Sequence, residues 1–409
     1  MTESEKIAIT AVGVIAPGAI GMEQFEAMLR RGVSTAREIT RFDTAGLRSH
    51  CGALVENFRP KDFIAPMKLR RMNGLSRMAL AAARLTMQDR ALDQLPYSSG
   101  EIGVSMGTAF GPVQTSVEYL NEYVEKGAGL APPQLFAESV ANAPGSHIAI
   151  DLGFQGFNVT FTQRESSVCV ALMYAASQIG KGAARAAFCG GVEELNETLY
   201  SVLDRIGALA HQKGNTAEQA HPFDRRRNGM MVGEGSGIVL LEPAGSLGER
   251  EPYALVSGFG IGKDVTASIS DWGTGFQAGA LVMRRAIADA GIELTDIDAV
   301  FASANSSVQG DHLEANSLQS LFGSAIPPVV ATKGYFGEYA GAGSHQLISA
   351  VIALKRQWVP RSVGFESGEG AVDNAIVRSA RDLPLRHILL NSFSAGGGLM
   401  SVVLSRCDR

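Results

Sequence analysis

In the stretch FNVTFTQRESSVCVALMYAASQIGKGAARAAFCGG, residues 157–191, a β-rich run gives way to a polar break, a long apolar helical run and a second β run closed by two glycines. Glu165 stands at the strand-to-helix turn. A hydrophobic period that switches from strand to helix and back marks a layered α/β unit. Working outward, the same alternation precedes the stretch in KIAITAVGVI, MEQFEAMLRRG, RMALAAARLTMQDRAL and IGVSMGTA. It recurs after residue 250 in YALVSGFGIG, GFQAGALVMRRAIADAGI, AVFASANS, LEANSLQSLFG, VVATKGYFG, GSHQLISAVIALKR and HILLNSFSAGGGLMSVVLS. The second series repeats the order of the first. This predicts an α/β fold of two duplicated halves, 1–248 and 249–409, with mixed sheets layered around central helices. The join falls in PAGSLGEREPY, residues 243–253, which is polar and rich in Gly and Pro. Halves that share a core make this a connection within one fold rather than a flexible linker.

A chain of 409 residues exceeds the usual size of a single small core. The formal net charge of −5 leaves no extended basic surface, which argues against nucleic acid or anionic membrane as the main partner. Cys51, Cys169, Cys189 and Cys407 show neither C-x-x-C spacing nor a staple pattern, so a reducing compartment and no structural zinc are expected. The N-terminus MTESEKIAIT enters a strand without a charged leader and apolar run, and no stretch reaches the ~18 apolar residues of a membrane span. Cytoplasm is the simplest location. Glycine-rich runs such as VGEGSG and SAGGG match neither the P-loop nor the dinucleotide pattern, so no nucleotide cofactor is expected.

The 157–191 stretch resembles the β-ketoacyl-acyl-carrier-protein synthase family, whose pattern is a strand, T-A-C, a helix and A-G-G-A-E. A second run, HPFDRRRNGMMVGEGSGIVLLE at 221–242, is similar to that family's R-P-[FW]-D-x-x-R-[DN]-G-x-x-x-G-[ED]-G-[AS]-G. The resemblance extends from KIAITAVGVIAPG to NSFSAGGGLMSVVL and implies a thiolase-like fold. It is weakest where the family keeps its chemistry.

Decarboxylative condensation needs a thiolate at a helix N-terminus, where the dipole and free N–H groups lower its pKa, and two histidines beside the substrate in this family. Counting back from Gly190 and Gly191 places Glu165 at the nucleophile position. A carboxylate is a poor acyl carrier, because its mixed anhydride hydrolyses readily, although an anion suits the helix start. The family run H-G-T-x-T-x-x-G-D corresponds to SANSSVQGD at 303–311, placing Ser303 at the first histidine. K-[ST]-x-x-G-H corresponds to KGYFGE at 333–338, so Glu338 replaces the second while Lys333 is retained. The gate N-S-F-G-F-G-G appears as NSFSAGG, with Ala395 at the second phenylalanine. Cys169, one helical turn beyond Glu165, reads as a small core residue rather than a substitute nucleophile. His147, His221, His312 and His345 lack metal-ligand spacing, and no metal is expected.

If Glu165, Glu338 and Lys333 converge as the matching family positions do, Lys333 neutralises one carboxylate or a proton stays bound. The trio is then either an ionic plug in a disused pocket, the preferred reading, or an acid/base pair for hydrolysis, dehydration or cyclisation of an acyl-carrier-bound substrate. The resemblance in role is to the chain-length factor, the inactive partner of an active ketosynthase in type II polyketide, polyene or fatty acid synthesis. Such partners usually carry glutamine at the nucleophile position; this chain carries glutamate. It implies a heterodimer with an active ketosynthase paralogue and an acyl carrier protein as further partner. An acidic carrier would meet Lys68, Arg70 and Arg71, or Arg225, Arg226 and Arg227, unless these form intramolecular ion pairs. The helix after SMGTAFG would turn Val113, Ser116 and Val117 toward the growing chain, with Ala395 also lining the tunnel.

Overall fold

The computed structural model describes residues 6–91, 95–368 and 370–407. Ten strands form its main sheet path: β1 (Ile7–Ala16), β2 (Ile102–Gly107), β3 (Asn158–Phe161), β4 (Ala186–Glu193), β5 (Gly235–Pro243), β6 (Ala254–Lys263), β7 (Ala299–Phe301), β8 (Val329–Val330), β9 (His387–Phe393) and β10 (Gly398–Ser405). Their order is β8-β7-β9-β10-β6-β1-β5-β4-β2-β3, and the short strand Ala19–Ile20 adds to β1. On one side β3, β2 and β4 run parallel, then β5 and β1 antiparallel. On the other side β8, β7 and β9 run parallel, then β10 and β6 antiparallel. The two series are therefore the same five-strand order met from opposite ends. They join where Ile7–Ile9 of β1 pair with β6, in the register Ile7↔Val256, Ala8↔Leu255 and Ile9↔Ala254.

The helices that matter for the site are α1 (Gly74–Arg90), α2 (Val113–Lys126), α3 (Pro133–Glu138), α4 (Ala143–Leu152), α5 (Ser167–Gly180), α6 (Phe276–Asp289), α7 (Val308–Phe322) and α8 (Ala340–Arg356). Strand residues alternate between two faces, and the core divides accordingly. Leu172, Ala175 and Ile179 of α5 and Leu347, Ile348 and Val351 of α8 share one cluster with Val239, Ile388 and Val402, from strands of both halves. The opposite faces are covered by α1, through Ala79, Ala82 and Ala83 on Val104 and Phe188, and by α6 and α7, through Met283, Ala286 and Leu318 on Val300 and Leu389. Helices α5 and α8 are apolar on most of their circumference, as a central layer requires. This is the expected thiolase-like layering.

Close approach fixes one pair of glycines. A Cβ on Gly190 of β4 would stand 1.9 Å from the carbonyl oxygen of Gly237 on β5. The strands meet there because Gly190 carries no side chain, whereas a Cβ on Gly237 would stand 2.6 Å from the Ser344 Oγ on α8.

Candidate functional site

The turn between β3 and α5 is a strained elbow. Arg164 adopts φ +50°, a left-handed conformation that costs a non-glycine residue about 1–2 kcal/mol. A 3₁₀ turn, Arg164–Ser166, then leads into α5. Hydroxyl groups hold this shape. The Ser167 Oγ–H donates to the Arg164 carbonyl at 2.6 Å and the Thr108 carbonyl at 3.0 Å, and the Gln163 N–H donates to the same hydroxyl at 2.9 Å. Ser166 donates to the Ser392 carbonyl at 2.9 Å, while Ser392 donates to the Glu165 carbonyl at 3.0 Å. The elbow, made in the N-terminal part of the chain, is thus pinned to β9 from the C-terminal part. A carboxylate secures the neighbouring loop: Glu193 accepts from Thr108 Oγ1 and the N–H groups of Ala109, Phe110 and Gly111 at 2.6–3.2 Å.

At the elbow stands Glu165, whose Oε2 is shut off from solvent and has no hydrogen-bond partner. Burial lifts its carboxyl to about 7, and the charge of Glu338 adds to the rise; its own backbone N–H and the Lys333 and Arg164 cations pull the other way. Glu338 is itself buried. Its Oε2 receives Lys333 Nζ at 2.5 Å and Asn305 Nδ2 at 3.0 Å, whereas its Oε1 is unpartnered. The structure therefore brings Glu165, Glu338 and Lys333 together.

Ser303 sits elsewhere in the network. Its hydroxyl donates to the Phe393 carbonyl at 3.1 Å and accepts from the Phe393 N–H at 2.9 Å, and its own N–H goes to Glu314 at 2.9 Å. The residue that reaches Glu338 is Asn305, which sequence reasoning missed. Nothing in the motif revealed that the Ser303 hydroxyl would be taken by a backbone ninety residues away. Ala395 lies half-buried in the β9–β10 turn, beside Ser394, whose N–H and hydroxyl both bond the Gly398 carbonyl. Cys169 is buried, and burial pushes its thiol up to about 11, far from a nucleophile's range.

On α2, Val113 and Val117 are half-buried and fall on one stripe with Leu120 and Val124, at i, i+4, i+7 and i+11. Exposure rises along that stripe to 55% at Leu120 and 79% at Val124. Ser116 turns away from it, donating to the carbonyls of Pro112 at 2.9 Å and Ser139 at 3.3 Å. The histidines are absorbed locally: His147 meets Glu138 at 2.7 Å, His221 lies between the Gly364 and Ala217 carbonyls, His312 is exposed, and His345 is held by Tyr339 and the Ser236 carbonyl. Among the described residues, no group of three His, Cys, Asp or Glu side chains is placed to hold a metal. No helix among them is long and apolar enough to cross a membrane.

The basic clusters divide. Arg225 donates to the Gly368 carbonyl, Arg226 pairs with Asp224 and Glu366, and Arg227 donates to the Asp224 carbonyl, so this run is an intramolecular clasp. Lys68 pairs with Asp151, leaving Arg70 and Arg71 exposed beside it.

Comparison with known proteins follows the same outline. Residues 4–245 match the beta-ketoacyl synthase N-terminal domain and residues 253–366 the C-terminal domain. The 3-oxoacyl-[acyl-carrier-protein] synthase 2 of Vibrio harveyi is 26% identical over 411 residues, covering 98% of this chain and 98% of that protein. The ishigamide ketosynthase/chain length factor superposes with a TM-score of 0.88 at 27% identity, over 98% of this chain and 99% of the other. A type II polyketide acyl-carrier protein in complex with its ketosynthase contains a chain that superposes with a TM-score of 0.89 over 98% and 99% of the two chains; at 20% identity this is a likeness of fold.

Proposed function

The chain belongs to the β-ketoacyl synthase family, and we propose that it serves there as a non-catalytic, chain-length-factor-like subunit that pairs with an active ketosynthase and shapes the acyl tunnel of a type II synthase. The observation that carries this reading is Glu165 at the elbow. A carboxyl group stands where the reaction needs a thiol, and the two positions that would hold imidazoles carry Ser303 and Glu338. The curated relative from Vibrio harveyi is named a synthase, so family membership alone does not give the role. The changed residues support the proposed one.

Two surfaces support pairing. Strand β3 lies at one edge of the sheet and, among the described residues, pairs only with β2. Helices α2 and α3 expose Leu120, Tyr123, Val124 and Phe136 near one another, with Tyr119 packed on Phe136 at 5.6 Å and on Tyr123 at 6.3 Å. Apolar side chains of this size, exposed together, mark an interaction surface. In this reading Val113, Val117 and Ala395 face the growing chain, Arg70 and Arg71 meet an acidic carrier, and the duplicated halves divide at 248/249.

The test is reconstitution. Mixed with an active, cysteine-bearing paralogue, the chain should form a one-to-one complex that elongates malonyl-derived chains, and alone it should transfer no acyl group. Acylation and primer extension by the isolated chain would end this reading. The raised Glu165 carboxyl beside Glu338 favours a second one, acid/base chemistry on a carrier-bound substrate. Glu165→Gln abolishes activity under that alternative and leaves the activity of the mixed complex largely intact under the first.

A further inference from the structure

The turn at residues 394–397 follows β9 and stands against the elbow, and it departs from the family run in two places. Where N-S-F-G-F-G-G carries a glycine and a phenylalanine, this chain carries Ser394 and Ala395. A glycine leaves the backbone free to swing, whereas a serine restricts it and adds a hydroxyl. That hydroxyl is engaged twice. Ser394 Oγ–H donates to the Gly398 carbonyl at 3.1 Å, and the Ser166 hydroxyl, next to Glu165, reaches Ser394 Oγ at 3.3 Å while it donates to the Ser392 carbonyl. Residues 264–275 clasp the same turn. The Asp264 N–H donates to the Gly397 carbonyl at 2.8 Å, and the Gly396 N–H to the Asp271 carbonyl at 2.7 Å. A Cβ on Gly397, at φ +83°, would stand 2.4 Å from the Asp264 carbonyl oxygen, so the two backbones are in contact. The clasp is pinned internally. Asp264, 1% exposed, accepts from the Thr266 N–H at 2.9 Å, the Thr266 hydroxyl at 2.7 Å and the Gly275 N–H at 2.6 Å. Further along the clasp, Trp272 packs on the cluster of Leu313, Phe393 and Leu399.

We propose that the turn at 394–397 is a fixed seal, held shut by Ser394 and by the clasp at 264–275, so that the elbow of this chain stays closed to an acyl group carried on a thiol. Bonds to the elbow and bonds to the clasp must break together before the turn can swing, and a segment that opens only in concert opens rarely. The elbow is held from the same side. The Ser392 hydroxyl, two residues before Ser394, donates to the Glu165 carbonyl at 3.0 Å, and Glu165 Oε2 is shut off from solvent. The ring that the family places at residue 395 is gone, and a hydroxyl has come in beside it. The seal stands on this geometry alone. Its meaning for synthesis rests on pairing with an active ketosynthase, in which a growing chain reaches Val113, Val117 and Ala395 from the partner's side only.

A Glu165→Cys substitution puts a reporter thiol behind the turn. In the full chain at about pH 8, iodoacetamide is expected to alkylate that thiol at least about thirtyfold more slowly than in the urea-unfolded chain. Peptide mass locates the modified residue, because Cys51 and Cys407 are half-buried and react separately. Adding Ser394→Gly and Asp264→Ala is expected to raise the rate at least about tenfold. A smaller difference from the unfolded chain, or a rate that the two added changes leave where it was, overturns the proposal. Hydrogen exchange on the unmodified chain needs no variant: the Gly396 N–H is expected to be protected, and exchange as fast as at the exposed Gly129 also overturns it. A chain that keeps both signatures yet forms no complex with a paralogue refutes the pairing and spares the seal; a complex that forms around an open turn does the reverse.

Discussion

Glu165 makes the folded chain hold a proton more tightly than the unfolded one, because burial lifts its carboxyl from 4.5 to about 7. A group whose folded value lies above its unfolded value contributes less stability as pH rises between the two, and nothing further above the higher one. Burial lifts Glu193, Glu194 and Glu314 to about 7 and Asp311 to about 6, so all lean the same way. Asp224 leans the other way; burial pushes it up, but hydrogen bonds from Arg226 and the backbone N–H groups of Arg226, Glu366 and Ser367 outweigh this and hold it at about 2. Glu165→Gln is therefore expected to stabilise the fold by about 1–3 kcal/mol at pH ~8 and by little at pH ~4. Calorimetry at the two pH values checks this, and an equal shift at both would refute it. Lys333→Met leaves the Glu338 carboxylate, 4% exposed, without its cation, and is expected to cost about 3–5 kcal/mol in denaturant unfolding. Adding Glu338→Gln should recover most of that loss, because the uncompensated charge causes it.

Helix α5 continues from the elbow and packs on strand β4, and glycine acts differently in the two. Gly190 on β4 faces the Gly237 carbonyl so closely that a methyl group has no space, and neither strand can retreat from the middle of a paired sheet. Gly190→Ala is expected to destabilise by at least about 3 kcal/mol, or to prevent folding. Gly180, the last residue of α5, has nothing within 4 Å of an added Cβ and no positive φ. Gly180→Ala is expected to stabilise by up to about 1 kcal/mol, since the same change here only lowers backbone entropy in the unfolded chain. Parallel urea titrations of the two variants separate a packing constraint from a propensity effect. The strained Arg164 shows the same hierarchy: the hydroxyl bonds of Ser166, Ser167 and Ser392 hold a turn that its local preference opposes.

For the molecule as a whole, the unpaired edge of β3 and the apolar stripe of α2 bear on its assembly. Leu120 and Val124 are exposed at 55% and 79%, at a spacing that suits packing against another helix. Leu120→Asp and Val124→Asp should each weaken the complex with a synthase paralogue by about tenfold or more, near 1.4 kcal/mol, without changing the circular dichroism of the isolated chain. Sedimentation of the mixed chains measures the first and spectroscopy the second. Unchanged affinity in both variants would move the interface elsewhere.

Much of this was legible in residue order. The alternation of periods gave the α/β class, the repeated series gave the doubled strand order, and the runs at residues 157–191 and 333–338 located Glu165, Lys333 and Glu338. These features are local or periodic, and local preference and burial pattern are written along the chain. Which side chains meet across the two halves was not. That Asn305 rather than Ser303 touches Glu338, that Ser116 leaves the α2 stripe for Ser139, and that Arg225–Arg227 close on their own fold are all outcomes of contacts between segments distant in sequence. Hydrogen bonding to a particular backbone carbonyl depends on where packing places that carbonyl, and only the assembled layers of β9, α5 and α8 fix it.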